Sequence, residues 1–345
     1  QSAGHITLNT SGQTLANQRG LIASGGNLHI DSGALDNQQG QIQGGTDLTL
    51  NAGQNALFNQ TGKLLSAGTL SLTAGQLTNS DGLVQSVGDG LLSLSQQLDN
   101  RSGLIQGGQQ MTITTPSLIN RDTRQSGKGI EAGSLTLEAD TLDNSQGALR
   151  ANHRLALIVQ QALDNVSGLI SSADTLTIQQ SAPARSAASK TQQRRMLAIN
   201  NAPGQTLTIN NQQGTLIADH DAQINAAALS GDGQVLSQGD LGITLAGDFH
   251  NTSAVKANGT LRLTTGGDVI NDGTLAAQQS LYLTAQNVNN QAGGEISGGQ
   301  TDITAADTLN NRGLIDGGLT HLVAGVLNNS GTGRIFGEHV AIAAA

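Results

Sequence analysis

The chain has 345 residues, a formal net charge of −9, only 1% aromatic and 12% charged residues, and no cysteine. The missing cysteines exclude disulfides, thiol catalysis and cysteine metal sites, and the missing aromatics argue against a conventional two-domain enzyme, whose thick core such rings normally fill. Mild acidity gives phosphate backbones little to bind, so nucleic acid is not an expected partner. Disorder fits poorly as well, because 36% of the residues are hydrophobic and net charge is modest. No apolar run approaches the length of a membrane-spanning helix. The opening QSAGHITLNT lacks a secretion signal and begins mid-pattern, so the chain is expected to be a segment of something longer.

The pattern is a repeat with the anchor aliphatic-x-Asn-x-x-Gly. In chain order it runs Leu15-Ala16-Asn17 with Gly20, Leu35-Asp36-Asn37 with Gly40, and Leu57-Phe58-Asn59 with Gly62. It continues at Asn79, Asn100, Asn120, Asn144 and Asn165, with spacings of 20, 22, 20, 21, 20, 24 and 21 residues between successive asparagines. After an interruption it resumes at Asn211, passes a degenerate Leu229/Gly231, and recurs at Asn251, Asn271, Asn290, Asn311 and, beside Leu327, Asn328. Between anchors stand an apolar residue, a Gly-rich turn and an apolar-x-apolar triplet, as in Ile42, Gly44-Gly45 and Leu48-Thr49-Leu50.

Alternation in such short runs is strand periodicity. The one stretch with a roughly helical period, 149–163, carries Leu155-Ala156-Leu157 in the strand slot and is read as strand. Short strands at a fixed period of about 20 describe an all-β solenoid, a parallel β-helix of about 15–17 coils stacked at the ~4.8 Å strand spacing and so roughly 70–80 Å long. A single coil cannot bury its own apolar face, so stacking is what builds the core. The recurring asparagines then lie above one another as an amide ladder, and the following glycine is expected to take a left-handed backbone conformation. The expected organisation is 1–179 regular repeats, 180–205 a basic loop or degenerate coil, and 206–345 more of the same solenoid.

Units such as LDNQQGQIQGGTDLTLNAG (35–53), LTNSDGLVQSVGDGLLSLS (77–95) and LDNRSGLIQGGQQMTITT (98–115) resemble the hemagglutinin repeats of filamentous-hemagglutinin-type exoproteins. Those are the passengers of two-partner secretion, including adhesins and the stalks of contact-dependent growth-inhibition toxins. The resemblance implies a right-handed helix, export through an outer-membrane two-partner secretion transporter, a secreted or cell-surface location, and a role in virulence. It does not separate an adhesin from a toxin stalk.

Candidate functional residues are few. Segment 180–205 holds Arg185, Lys190, Arg194 and Arg195 with no acid, a candidate contact loop for a receptor or an anionic glycan. A smaller bulge from Arg121 to Lys128 lengthens its coil and reads as a solvated excursion. The middle triplet positions are mostly hydroxylic (Thr49, Ser71, Ser93, Thr112, Thr136, Thr177, Thr208), with His29, Arg262 and Tyr282 as variants, as suits exposed strand. Asp219-His220-Asp221 resembles a metal triplet, yet a strand would point His220 away from both carboxylates. Glu131, Glu138, Asp140 and Asp143 form the densest acidic stretch, a solvated face. A polysaccharide-cleaving β-helix would need converging carboxylates and aromatic platforms; this reading names no catalytic residue, cofactor or metal and expects no enzyme.

Overall fold

The computed structural model describes residues 1–181 and 205–344. Among them there is no helix: parallel strands stack as a β-solenoid of about 16 turns of roughly 20 residues. The chain forms two compact units, Gln1–Leu176 and Thr177–Ala345.

In the first unit each coil has an anchor segment, a second strand about five residues on and a strand carrying the triplet, which in several coils runs on into the next anchor, as in Leu70–Thr78 and Gly90–Asp99. Coil-to-coil pairing is parallel and in register. One inward column reads Ile22, Ile42, Leu64, Val84, Ile105, Ile130, Leu149 and Ile170, and its members from Ile42 onward are fully buried. Three further columns, running through Leu48, Leu50 and Leu57, complete the core. A thin coil is filled almost wholly by aliphatics, Phe249 being the one aromatic side chain in the core of the described residues, which is why this chain needs so few aromatic rings; each buried Leu or Ile contributes about 1.5–3 kcal/mol. The stretch 149–163 is strand, Leu155–Asp164.

The turn after the ladder asparagine differs from expectation in one respect. Gly40 donates its N–H to the Asn37 carbonyl at 3.0 Å, closing a four-residue turn, but the left-handed residue is Gln39 (φ 58°), not the glycine. Arg19, Thr61, Asp81, Ser102, Gln146 and Ser167 take the same place in their coils. Positive φ at the third residue alone is the type II pattern. Its cost is borne because the N–H of these residues from Arg19 to Gln146 is held by the next coil, as Gln39 is by the Gln60 carbonyl at 3.0 Å. Glycine follows for reasons of space. A Cβ on Gly40 would lie 2.2 Å from the Asn17 carbonyl oxygen of the preceding coil and 2.6 Å from the Asn37 side-chain oxygen.

The second unit repeats the scheme, with shorter turns after Asn251, Asn271 and Asn311. Its inward columns run, for example, Ile243, Leu263, Leu283, Ile303 and Leu322. Past Asn251, Asn271 and Asn311 the chain re-enters strand within two or three residues, and no non-glycine residue there has positive φ. Two buried threonines, Thr301 and Thr320, replace apolar residues in one inward column. Their hydroxyls donate to the carbonyls of Asp316 and Phe336, each at 2.6 Å, so neither is left unpaired.

Candidate functional site

The most regular side-chain feature of the interior is a file of amides. In the first unit Asn17 Nδ2 donates to Asn37 Oδ1 at 2.7 Å, Asn37 to Asn59 at 2.7 Å, Asn59 to Asn79 at 2.7 Å and Asn79 to Asn100 at 2.8 Å. Asn100, Asn120, Asn144 and Asn165 continue it at 2.8–2.9 Å. Each Nδ2 also reaches a backbone carbonyl of the following coil, as Asn79 does at Leu104, 3.2 Å. Asn37 through Asn165 are completely buried. A buried amide costs free energy unless paired, and here one side chain satisfies its own coil's turn and its neighbour's strand.

In the second unit Asn251, Asn271, Asn290 and Asn311 donate in turn, each at 2.8 Å. The acceptor for Asn311 is Asn329, not Asn328. Asn328 belongs to a separate outer file, in which it donates to Asn310 at 2.9 Å and Asn310 donates to Asn289 at 2.8 Å. The aliphatic-x-Asn offset from Leu327 already points to Asn329; reading the adjacent Asn328 as the anchor broke that rule. Asn211 reaches the Gln234 carbonyl at 3.1 Å, and Gly231 stands where the next coil's anchor would be.

Arg185, Lys190, Arg194 and Arg195 lie outside the described residues. The 121–128 bulge is described, and it is pinned rather than a loose excursion. Thr123 is buried and its hydroxyl donates to the Asn120 carbonyl at 2.9 Å while accepting from Ala148 N–H at 3.1 Å. Arg124 donates to the Ser167 carbonyl at 2.6 Å, Arg150 to the carbonyls of Lys128 and Arg124 at 3.1 and 3.0 Å, and Lys128 pairs with Asp81 at 3.6 Å. Threonine stands where other coils have the turn glycine, so a hydroxyl takes over part of the turn's bonding and the extra residues loop outward.

The outward triplet stripe is also corrected. Ser71 pairs with Leu91 and Leu91 with Thr112, whereas Ser93 lies one column over, between Thr73 and Thr114. Gly90 therefore occupies the core column between Leu70 and Met111. Met111 fills the vacancy: a Cβ on Gly90 would sit 2.4 Å from its terminal methyl. Leu91 is left 44% exposed among hydroxyls. Thr208 is on the anchor strand, paired with Ala228. Arg262 does face outward, its guanidinium 4.4 Å from the Tyr282 ring centre in the adjacent coil.

Asp219-His220-Asp221 forms a turn between the strands Thr215–Ala218 and Ala222–Ala226, not a strand. Asp221 accepts the Asp240 N–H at 2.8 Å. Asp47 acts alike on Thr69, whose N–H and hydroxyl both lie at 2.8 Å and hold that carboxyl below the usual carboxylate range. Asp31 is lowered too, chiefly by its hydrogen bond with His29 and then by Asn51. Glu131, Glu138 and Asp143 lie on three different outward columns and do not converge. Among the described residues no group of three or more His, Cys, Asp and Glu has metal-holding geometry, and no helix is long and apolar enough to cross a membrane. His250 pairs with Asp272 at 2.7 Å and His321 with Asp302 at 3.3 Å, from neighbouring coils.

The family described as Haemagglutinin repeat matches residues 1–57, 54–102, 90–130, 130–182, 175–253, 218–283 and 257–345, which together span the whole chain. The chain belongs to the haemagglutinin-repeat family. Its repeats are those of a filamentous-haemagglutinin-type region, a structural and adhesive family of secreted or surface-exposed proteins that implies a two-partner secretion context. Comparison with curated proteins and with solved structures gave no match.

Proposed function

We propose that this haemagglutinin-repeat chain is a stalk segment of a secreted or cell-surface bacterial exoprotein, holding an adhesive or toxic tip away from the producing cell. The supporting observation is where the side-chain bonding goes. In each unit the asparagine file, the carboxylates of Asp47 and Asp221 and the aliphatic columns are spent on joining one coil to the next. Such an array adds about 4.8 Å of height for every ~20 residues and resists shear through many equivalent contacts. Passage through an outer-membrane transporter as an unfolded chain, followed by coil-by-coil folding outside, suits both the nearest-neighbour contacts and the absence of cysteine in an oxidising compartment. On this reading the chain is not an enzyme.

A second reading makes the segment a recognition module acting through Arg185, Lys190, Arg194 and Arg195, a cluster of four bases without an acid in an otherwise acidic chain. The two are separated by measuring binding of the labelled protein to bacterial and to epithelial cells, beside a form lacking 183–203. The stalk reading expects no saturable binding by either form. Saturable binding that vanishes with the deletion would replace it with the recognition module.

A further inference from the structure

The turn edge of the second unit carries a cleft unlike its counterparts in the first. In the first unit the residue preceding the ladder asparagine is repeatedly acidic: Asp36, Asp99, Asp143 and Asp164. Asp36, Asp99 and Asp143 each fold back onto the backbone N–H two residues on, at 3.0–3.1 Å. In the second unit the same place is held by Asn289 and Asn310, whose amides bond to each other across neighbouring coils. At these two coils an amide stands where the first unit has an acid.

The resulting cleft, about 130 Å³, is lined by Asn289, Asn290, Gln291, Asn310 and Arg312. Donors dominate it. Asn290 spends both amide hydrogens on Asn311 and the Leu314 carbonyl. Asn289 accepts from Asn310 through Oδ1, which leaves its own Nδ2 without an acceptor among the described residues, and Asn310 uses one of its two amide hydrogens. The side chain of Gln291 and the guanidinium of Arg312 likewise have no hydrogen-bond or ion-pair partner there; only their backbone groups are engaged. Asp272 is paired with His250 at 2.7 Å, Glu295 with Ser297 at 2.8 Å and Asp307 with Gln286, and Asp316 lines a different recess, beside Gly317 and Phe336.

Unused N–H groups around an unneutralised guanidinium, in a recess of this size, are what a planar or tetrahedral oxyanion requires: charge-assisted bonds from arginine and neutral amides to fix its orientation. We propose that the cleft formed by Asn289, Gln291, Asn310 and Arg312 binds one oxyanion group, a carboxylate, sulfate or phosphate carried on a larger molecule. The site goes beyond the stalk reading and does not depend on it, since a spacer with or without a cell-binding loop can carry it.

The test is a titration of the whole chain, labelled with ¹⁵N, with inorganic sulfate, inorganic phosphate and D-glucuronate separately, against chloride at matched ionic strength. Side-chain amide and arginine Nε resonances are the readout. Saturable shifts with at least one probe are expected, and which probe saturates first distinguishes the anion's chemistry. Arg312→Gln is expected to weaken the response at least about tenfold. Asn289→Asp keeps the acceptor for Asn310 while placing a negative charge in the cleft, and is expected to abolish it. Arg334→Gln, outside the cleft, is expected to leave it unchanged. No saturable shift with any probe, or equal shifts in Arg312→Gln, Asn289→Asp and the unmodified chain, would overturn the proposal.

Discussion

The ladder asparagine works because one short side chain has both polarities at a fixed angle. Nδ2 gives one hydrogen to the next rung and directs the other at a carbonyl, while Oδ1 receives the previous rung. Asn100 shows the dependence: it accepts from Asn79 at 2.8 Å and donates to Asn120 at 2.9 Å and to the Gly129 carbonyl at 3.2 Å. Asn100→Ala strands a buried donor on Asn79 and acceptors on Asn120 and Gly129. Each stranded group costs about 1–3 kcal/mol, so urea unfolding should report a loss of roughly 3 kcal/mol or more. Asp47 offers a milder case. Its folded pKa is depressed, so the stabilisation from Thr69 is present at neutral pH and is lost as pH falls below the ordinary value of 3.8 towards the folded one. Thermal unfolding followed from pH 6 to pH 2 should therefore fall off less steeply for Asp47→Asn than for the unmodified chain.

Between neighbouring strands, residues compensate for one another across coils. Gly90 and Met111 share one core position in depth: the glycine leaves a hole and the flexible thioether of the next coil enters it. Met111→Ala should cost about 2–5 kcal/mol, as for other core truncations. Gly90→Ala alone forces the methionine to move and should be mildly destabilising. Combined with Met111→Ala, the same substitution fills part of the cavity, so the double variant should be more stable than Met111→Ala alone. A double-mutant cycle by denaturant unfolding measures that coupling, which for touching residues is about 0.5–3 kcal/mol. The bulge at 121–128 follows the same logic, with Thr123 and Arg150 restoring the bonding that an enlarged turn would lose.

Taken as a whole, each unit is a one-dimensional array whose stability is close to a sum of coil terms and nearest-neighbour terms. Removing a complete coil should then leave the rest intact. Deleting residues 60–79 joins Asn59 to Ser80-Asp81-Gly82 and so recreates the Asn-x-x-Gly turn, with Asn59 facing Asn100. The shortened protein should keep its strand content per residue by circular dichroism and unfold at nearly the same temperature. Deleting 60–69 instead, half a coil, puts every following column out of phase and should abolish cooperative unfolding. Equal behaviour of the two deletions would rule out the nearest-neighbour description.

Class of fold, coil length and family were legible in the sequence because they rest on periodicity, and each repetition of aliphatic-x-Asn-x-x-Gly counts independently. The rungs from Asn17 to Asn165 and from Asn251 to Asn311 follow the same offset. What remained hidden was set by contacts between coils. Ser93 was misread as the middle of its triplet because register is defined by Leu70 below and Met111 above Gly90, not by the triplet's own alternation. The turn glycine was assigned the left-handed conformation because φ and crowding select the same residue type; only the position of the Asn17 carbonyl against Gly40 shows that crowding decides. The donor-lined cleft at Arg312 joins residues 23 apart that share no motif. Sequence by itself determined how the chain repeats, since that is local pattern; tertiary structure alone decided which side chains meet, since that depends on where each coil lands on the one before it.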